Sequence, residues 1–178
     1  MINKIYKFNE SEKLNATELM MINTAMSCIG TMKILKDNQH MEVWHKSYYI
    51  LAVTCLELFP KVFLLRKMRK EGKDKIKINS EFRRIKHNLE KLYSENKLGS
   101  IFLLKSNITS VRRIRRDGIS RYEFIINNVI DPIYIFDLES IRYGLLAKEE
   151  NSLYPAWQSD KLLNLCESVF LALKQTAP

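Results

Sequence analysis

Glycine, proline and cysteine are scarce in this chain of 178 residues, which has 5 Gly, 4 Pro and 3 Cys. A β-sandwich or barrel needs many tight turns, which these residues usually supply, so the composition disfavours both folds. No glycine-rich phosphate loop is present, which argues against a doubly wound nucleotide-binding fold. Cys28, Cys55 and Cys166 lie far apart without zinc-finger or redox spacing. That pattern predicts buried free thiols in a reducing compartment.

Metal-binding and export signals are also missing. His40, His45 and His87 are isolated and form no motif in which two histidines share a helical face. The first residues, MINKIYKFNESEK, lack the apolar core of a signal peptide. The sequence therefore predicts a cytoplasmic protein with no metal and no cofactor.

A nearly unbroken apolar run covers residues 47–65, interrupted only by Glu57, Pro60 and Lys61. A membrane span carrying two central charges would cost about 2.5–3.5 kcal/mol for each. We therefore interpret the run as a helix buried within a water-soluble bundle, not as a membrane segment. Glu57 and Lys61 are four residues apart, so they share a helical face and can pair as an internal strut or line a cavity.

Positive charge is concentrated in one part of the chain. The net charge of +9 arises from residues 61–116, which hold 18 basic and 5 acidic side chains. Residues 1–60 are balanced, and residues 117–178 carry 5 basic against 9 acidic side chains. A localised basic surface is typical of proteins that bind phosphate-bearing partners, although a solvated basic face without a ligand gives the same pattern.

Apolar spacing predicts an all-α, up-down bundle of about five helices in a single domain, 1–178. The expected helices cover 12–36, 42–70, about 80–93, about 100–116 and 158–174. Residues 119–137 alternate apolar and polar side chains, which predicts a small hairpin or irregular insert laid on the bundle.

Two stretches, YYILAVTCLELFPKVFLL at 48–65 and IKHNLEKLY at 85–93, resemble the HEPN superfamily of helical-bundle proteins in prokaryotic defence and toxin systems. The segment DLESIRYGLLAK at 137–148 is similar to a recurrent element of one uncharacterised branch. The resemblance implies a homodimeric bundle. In active members it also implies a metal-independent endoribonuclease, in which Arg precedes His by four to six intervening residues.

Only three or two residues separate Arg83 or Arg84 from His87 in this chain. If the segment is helical, Arg83 and His87 share a face. His87 is then the candidate acid or base and the arginines stabilise charge, while the alternative is a structural histidine that caps a helix. Arg142 and Tyr143 are candidates for a polar network with Glu57 and Lys61. The structural alternative is an ion pair of Arg142 with Glu139 or Glu57, beside a tight turn at Gly144.

The densest basic cluster, at residues 112–116, contains Arg112, Arg113, Arg115 and Arg116. On a helix, 112, 115 and 116 share one face, which makes the cluster the best candidate for contacts with RNA phosphates. A solvated helix end is the structural alternative.

The sequence as a whole predicts binding of RNA or a nucleotide in a stress or defence system, with metal-independent RNA cleavage as a subordinate hypothesis. The alternative is a non-catalytic regulatory module whose basic face binds an acidic protein partner or antitoxin.

Overall fold

A computed structural model describes residues 16–38, 44–116, 119–129, 131–136 and 159–176. Six helices contain 70% of these residues, and a three-stranded antiparallel sheet accompanies them. The expectation of a mostly helical protein is confirmed, but the expectation of a purely all-α bundle is wrong. Arg142, Tyr143 and the segment 137–148 lie outside the described residues.

Three long helices form the centre of the fold: α1 (Ala16–Asp37), α2 (Trp44–Lys70) and α6 (Ser159–Gln175). Helix α2 packs against both others and continues through Pro60. Its segment Ser47–Lys70 is long and apolar enough for a membrane span, but 72% of its apolar window is buried inside the protein. It is thus built like the core helix of a soluble protein.

Shorter helices follow α2: α3 (Lys75–Ile85), α4 (Leu89–Leu92) and α5 (Glu95–Lys105). The predicted continuous helix over about 80–93 is wrong, because α3 begins earlier and a turn at 86–88 separates it from α4. Asn88 starts α4 anew by accepting a hydrogen bond from the backbone N–H of Lys91 at 3.0 Å.

The predicted helix over about 100–116 is also wrong, because its second half is strand β1 (Ile108–Arg116). This strand pairs with β2 (Ile119–Ile126), which pairs in turn with β3 (Ile133–Phe136) in the order β1-β2-β3. Isoleucine, threonine and valine are common in β1, and such β-branched residues favour an extended backbone. The predicted 119–137 hairpin is present as β2 and β3, but as part of this larger sheet.

Sheet and helices share one hydrophobic core. Tyr122 and Phe124 of β2 are buried on the face of the sheet that is turned towards the helices. The ring of Phe124 packs edge-on against Tyr93, which follows α4, with a centroid distance of 5.3 Å. The sheet therefore lies directly beside the α3–α4 turn, and this placement builds the site described next.

Candidate functional site

Glu57 and Lys61 form an ion pair on one face of α2. Lys61 Nζ lies 2.5 Å from Glu57 Oε1, and the two side chains are only 12% and 8% exposed. The predicted pairing at a spacing of four residues is therefore present. A carboxylate buried this deeply is stable only with close partners, because removing it from water is costly.

His87 is the second partner of that carboxylate. Its Nδ1 lies 3.0 Å from Glu57 Oε1 and 2.9 Å from Oε2. An ionised carboxylate only accepts hydrogen bonds, so Nδ1 carries the proton and donates it. In the neutral imidazole this leaves the lone pair on Nε2, and the His87 side chain is 59% exposed. The buried Glu57 therefore orients the ring, while the ring itself remains accessible to solvent and ligands.

The turn between α3 and α4 holds His87 in this position. Helix α3 ends at Ile85, and Lys86 adopts a positive φ of 51° while its backbone N–H bonds the carbonyl of Phe82. Tyr122 of β2 then donates its hydroxyl to the backbone carbonyl of His87 at 3.3 Å. The sheet therefore braces the turn that presents the imidazole.

The imidazole lines a surface depression of about 520 Å³. Its described lining consists of one aromatic, one amide and four basic side chains: Phe82, Asn79, Lys61, Arg83, Lys86 and His87. Among the described residues no acidic side chain lines it, because Glu57 lies beneath Lys61 and His87. Such a surface favours an anionic ligand.

The structure separates the two arginines expected beside His87. Arg83 lines the depression. Arg84 instead bonds Glu81 at 2.9 Å, and this raises the pKa of its guanidinium above the ordinary value. The expectation that Arg83 and His87 share a helical face is wrong, because α3 ends before His87.

Strand geometry redistributes the predicted arginine cluster. Successive side chains of a strand alternate between the two sheet faces. Arg113 and Arg115 stand opposite Tyr122 and Ser120 on one face, whereas Arg112 stands opposite Glu123 on the other. The prediction that Arg112 and Arg115 share a face with Arg116 is therefore wrong. For Arg116 the structure describes the backbone only.

Arg113 connects the sheet to the site. It is the strand neighbour of Tyr122, whose hydroxyl bonds His87. Its backbone N–H also donates to Glu90 of α4 at 3.1 Å. The turn that carries His87 is therefore linked to β1 through Tyr122, and Arg113 and Arg115 form a second group of exposed cations on that strand.

Other cations of the basic segment have structural roles. Arg66 and Arg69 bond the buried carboxylate of Glu18 at 2.7 and 2.8 Å. Lys67 donates to the backbone carbonyl of Lys97 at 3.1 Å. The large positive charge of residues 61–116 is therefore partly neutralised inside the fold and does not form one continuous ligand surface.

Several site residues were not anticipated from the sequence, namely Asn79, Phe82, Lys86 and the bracing Tyr122. Phe82 had only the signal of a helical apolar face, which is typical of core residues. Tyr122 follows the arginine cluster in the sequence, but its bond to His87 requires the α3–α4 turn and the sheet to meet in space.

The three cysteines meet in the core between α1, α2 and α6. All three are buried free thiols; Cys55 donates to the backbone carbonyl of Ala25 at 3.3 Å and Cys166 to that of Ala52 at 3.7 Å. Contact with Cys55 and burial raise the pKa of Cys28 far above the ordinary range; contact with Cys166 and burial do the same for the pKa of Cys55, although Cys28 acts on it in the opposite direction. Thiols held protonated in this way are poor nucleophiles. Within the described parts of the chain, no group of three metal-binding side chains is present.

No protein-family model, curated protein or solved structure matches this chain. The carboxylate–imidazole pair is therefore the feature from which a function can be inferred. A carboxylate on Nδ1 fixes the tautomer and leaves Nε2 to accept a proton, while nearby cations stabilise negative charge. The arrangement of Glu57, His87, Lys61 and Arg83 has the chemical groups needed for acid–base chemistry on a phosphate ester.

Proposed function

We propose that this protein is a HEPN-like RNA- or nucleotide-binding protein of a cytoplasmic stress or defence system, acting as a homodimer. The observation that carries the proposal is the contact of both Glu57 carboxylate oxygens with His87 Nδ1, at a depression whose described lining residues include no carboxylate. The contact orients an imidazole that is itself accessible to a ligand, which is what a general acid or base requires.

Phosphate recognition is assigned to the cations at the surface of the depression. Arg83 and Lys86 are exposed, and Arg83 has no ion-pair partner within the described ranges. Arg113 and Arg115 of β1 supply further exposed cations. Lys and Arg side chains that neutralise phosphates release condensed counterions, so binding weakens as salt concentration rises.

Metal-independent cleavage is the activity proposed for the same site. His87 Nε2 accepts the proton of a ribose 2′-hydroxyl, and the 2′-oxygen attacks the adjacent phosphorus. The bond from phosphorus to the 5′-oxygen breaks, the leaving oxygen takes a proton from water, and a 2′,3′-cyclic phosphate remains. Glu57 stabilises the imidazolium, and Arg83 stabilises the charge that develops on the phosphoryl oxygens.

A cleavage assay on labelled total RNA in EDTA tests the chemistry. We expect the wild-type protein to cleave and His87→Ala to lose about 10²–10⁴-fold in rate, as is usual for a general base. Glu57→Gln should also lose activity, since a neutral amide cannot stabilise the charge of the His87 imidazolium. Arg84→Ala is the matched control, because Arg84 bonds Glu81 and does not line the depression.

Binding is measured separately by titrating a labelled single-stranded oligonucleotide at several salt concentrations. Arg83→Ala/Lys86→Ala should weaken binding and reduce the salt slope by about 1.4, the value for two phosphates on a single strand. Binding without cleavage would leave only the recognition part of the proposal. If neither the wild type nor any variant binds or cleaves RNA, the whole proposal is wrong.

A further inference from the structure

Strand β1 is an edge strand of the sheet within the described residues. It pairs with β2 on one side, and the strand order places no described strand on the other. An edge strand presents backbone N–H and C=O groups to any chain that can pair with it, and natural proteins usually shield such edges.

Glu90 shields one position of this edge. The backbone N–H of Arg113 points away from β2 and donates to Glu90 Oε1 at 3.1 Å. In an antiparallel ladder, the outward-pointing amides belong to alternate residues, so the N–H of Arg115 points to the same outer edge. The contact from Glu90 shows that a carboxylate can approach this edge closely enough to accept from its backbone.

The side chains of β1 add strong charge selectivity. Its sequence, ITSVRRIRR, holds four arginines and no acidic residue. Arg112, Arg113 and Arg115 are exposed, and they lie on both faces of the strand. A segment paired along β1 would therefore meet cations above and below its backbone. An extended acidic segment satisfies both the amides and the charges.

We infer that the outer edge of β1 is a docking site for an extended acidic segment of a protein partner, which pairs as an additional strand. Glu90 is the internal competitor that such a segment displaces from the Arg113 amide. This inference stands independently of RNA cleavage. If the proposed RNA function also holds, a docked segment neutralises Arg113 and Arg115 and thereby inhibits RNA binding.

The test uses the full chain and a fluorescent acetylated peptide in which Glu alternates with Val and Thr, matched to the nine residues of β1. Fluorescence anisotropy should show saturable binding. A peptide of the same charge with prolines at alternate positions should bind much more weakly, because proline cannot donate to a strand ladder. A peptide with Lys in place of Glu should not bind.

Three variants separate backbone pairing from simple charge attraction. Arg115→Ala removes one charge, whereas Arg115→Pro removes the same charge and the edge N–H, so the proline variant should bind at least several-fold more weakly. Glu90→Ala should tighten binding by about two- to tenfold, because the competing hydrogen bond is gone. Circular dichroism of each variant checks that the fold is retained.

Three results would overturn the inference. Equal affinities for Arg115→Ala and Arg115→Pro would reduce the contact to charge alone. Unchanged or weaker binding by Glu90→Ala would show that Glu90 does not compete with the peptide for the Arg113 amide. Binding of an oligouridylate but of no acidic peptide would assign this edge to RNA instead. Because the peptide assay measures no RNA cleavage, its outcome does not depend on the catalytic proposal.

Discussion

Breaking the buried pair of Glu57 and Lys61 should have a large effect on stability. Replacing Glu57 with Leu leaves the ammonium of Lys61 without its partner at a position where only 12% of the side chain is exposed. Removal of one member of a buried ion pair typically costs about 3–5 kcal/mol. We expect the lower end of that range, since Lys61 also lines the open depression and can reach water.

The double variant Glu57→Leu/Lys61→Met provides the decisive comparison. An apolar pair of similar volume has no charge to desolvate, so the double variant should be more stable than Glu57→Leu alone by at least about 2 kcal/mol. Urea unfolding followed by circular dichroism measures both free energies of unfolding. His87 also loses a partner in both variants, but it is 59% exposed and should contribute little to the difference.

An exposed ion pair serves as the control for this cycle. Lys33 and Glu167 are 2.7 Å apart, but their side chains are 54% and 37% exposed. Glu167→Gln should cost less than about 1 kcal/mol, as is usual for surface pairs. If Glu57→Leu/Lys61→Met is no more stable than Glu57→Leu, or if Glu57→Leu costs no more than Glu167→Gln, Glu57 and Lys61 do not form the buried ion pair described here.

Two further predictions concern the backbone and acid stability. Gly99→Ala should destabilise the fold by about 1 kcal/mol, because Gly99 has a φ of +78°, whereas Gly30→Ala in the exposed part of α1 should stabilise it by about 0.5–1 kcal/mol. Equal effects in urea unfolding would contradict this assignment. Burial tends to raise the pKa of Glu81, but hydrogen bonds from Arg84 and Lys97 outweigh it and lower the pKa. Its contribution is therefore present above the unfolded-state pKa and is lost as pH falls from about 5 towards 3, so Glu81→Gln should flatten the pH dependence of stability there.

The strand β1 shows where sequence reasoning failed in this protein. Ile101, Leu104 and Ile108 keep a helical spacing, and this led to the prediction of one long helix. The structure leaves Ile101 and Leu104 67% and 65% exposed, so their spacing does not mark a core-facing stripe. Pairing with β2 decides the conformation of residues 108–116 instead. The periodicity of a short stretch of sequence does not include contacts with a strand that follows later in the chain.

Local physical chemistry in the sequence was sufficient for the long helices. The end of α1 at Asp37, the apolar α2 and the final helix depend on periodicity and turn chemistry within a few residues, and the structure places them within a few residues of the predicted bounds. The contact of Glu57 with Lys61 belongs to the same class, because a spacing of four on one helix fixes their proximity.

Only the tertiary structure decided that His87 meets Glu57, since 30 residues separate them along the chain. That contact requires α3 to end before His87, the turn to fold back on α2, and Tyr122 of the sheet to brace the turn. The sequence therefore determined which residue types are present and where the three long helices form. The packing of turn, helix and sheet brought a carboxylate, an imidazole and several cations to one depression. These groups lie in segments far apart in the sequence, so no local pattern predicts that they meet.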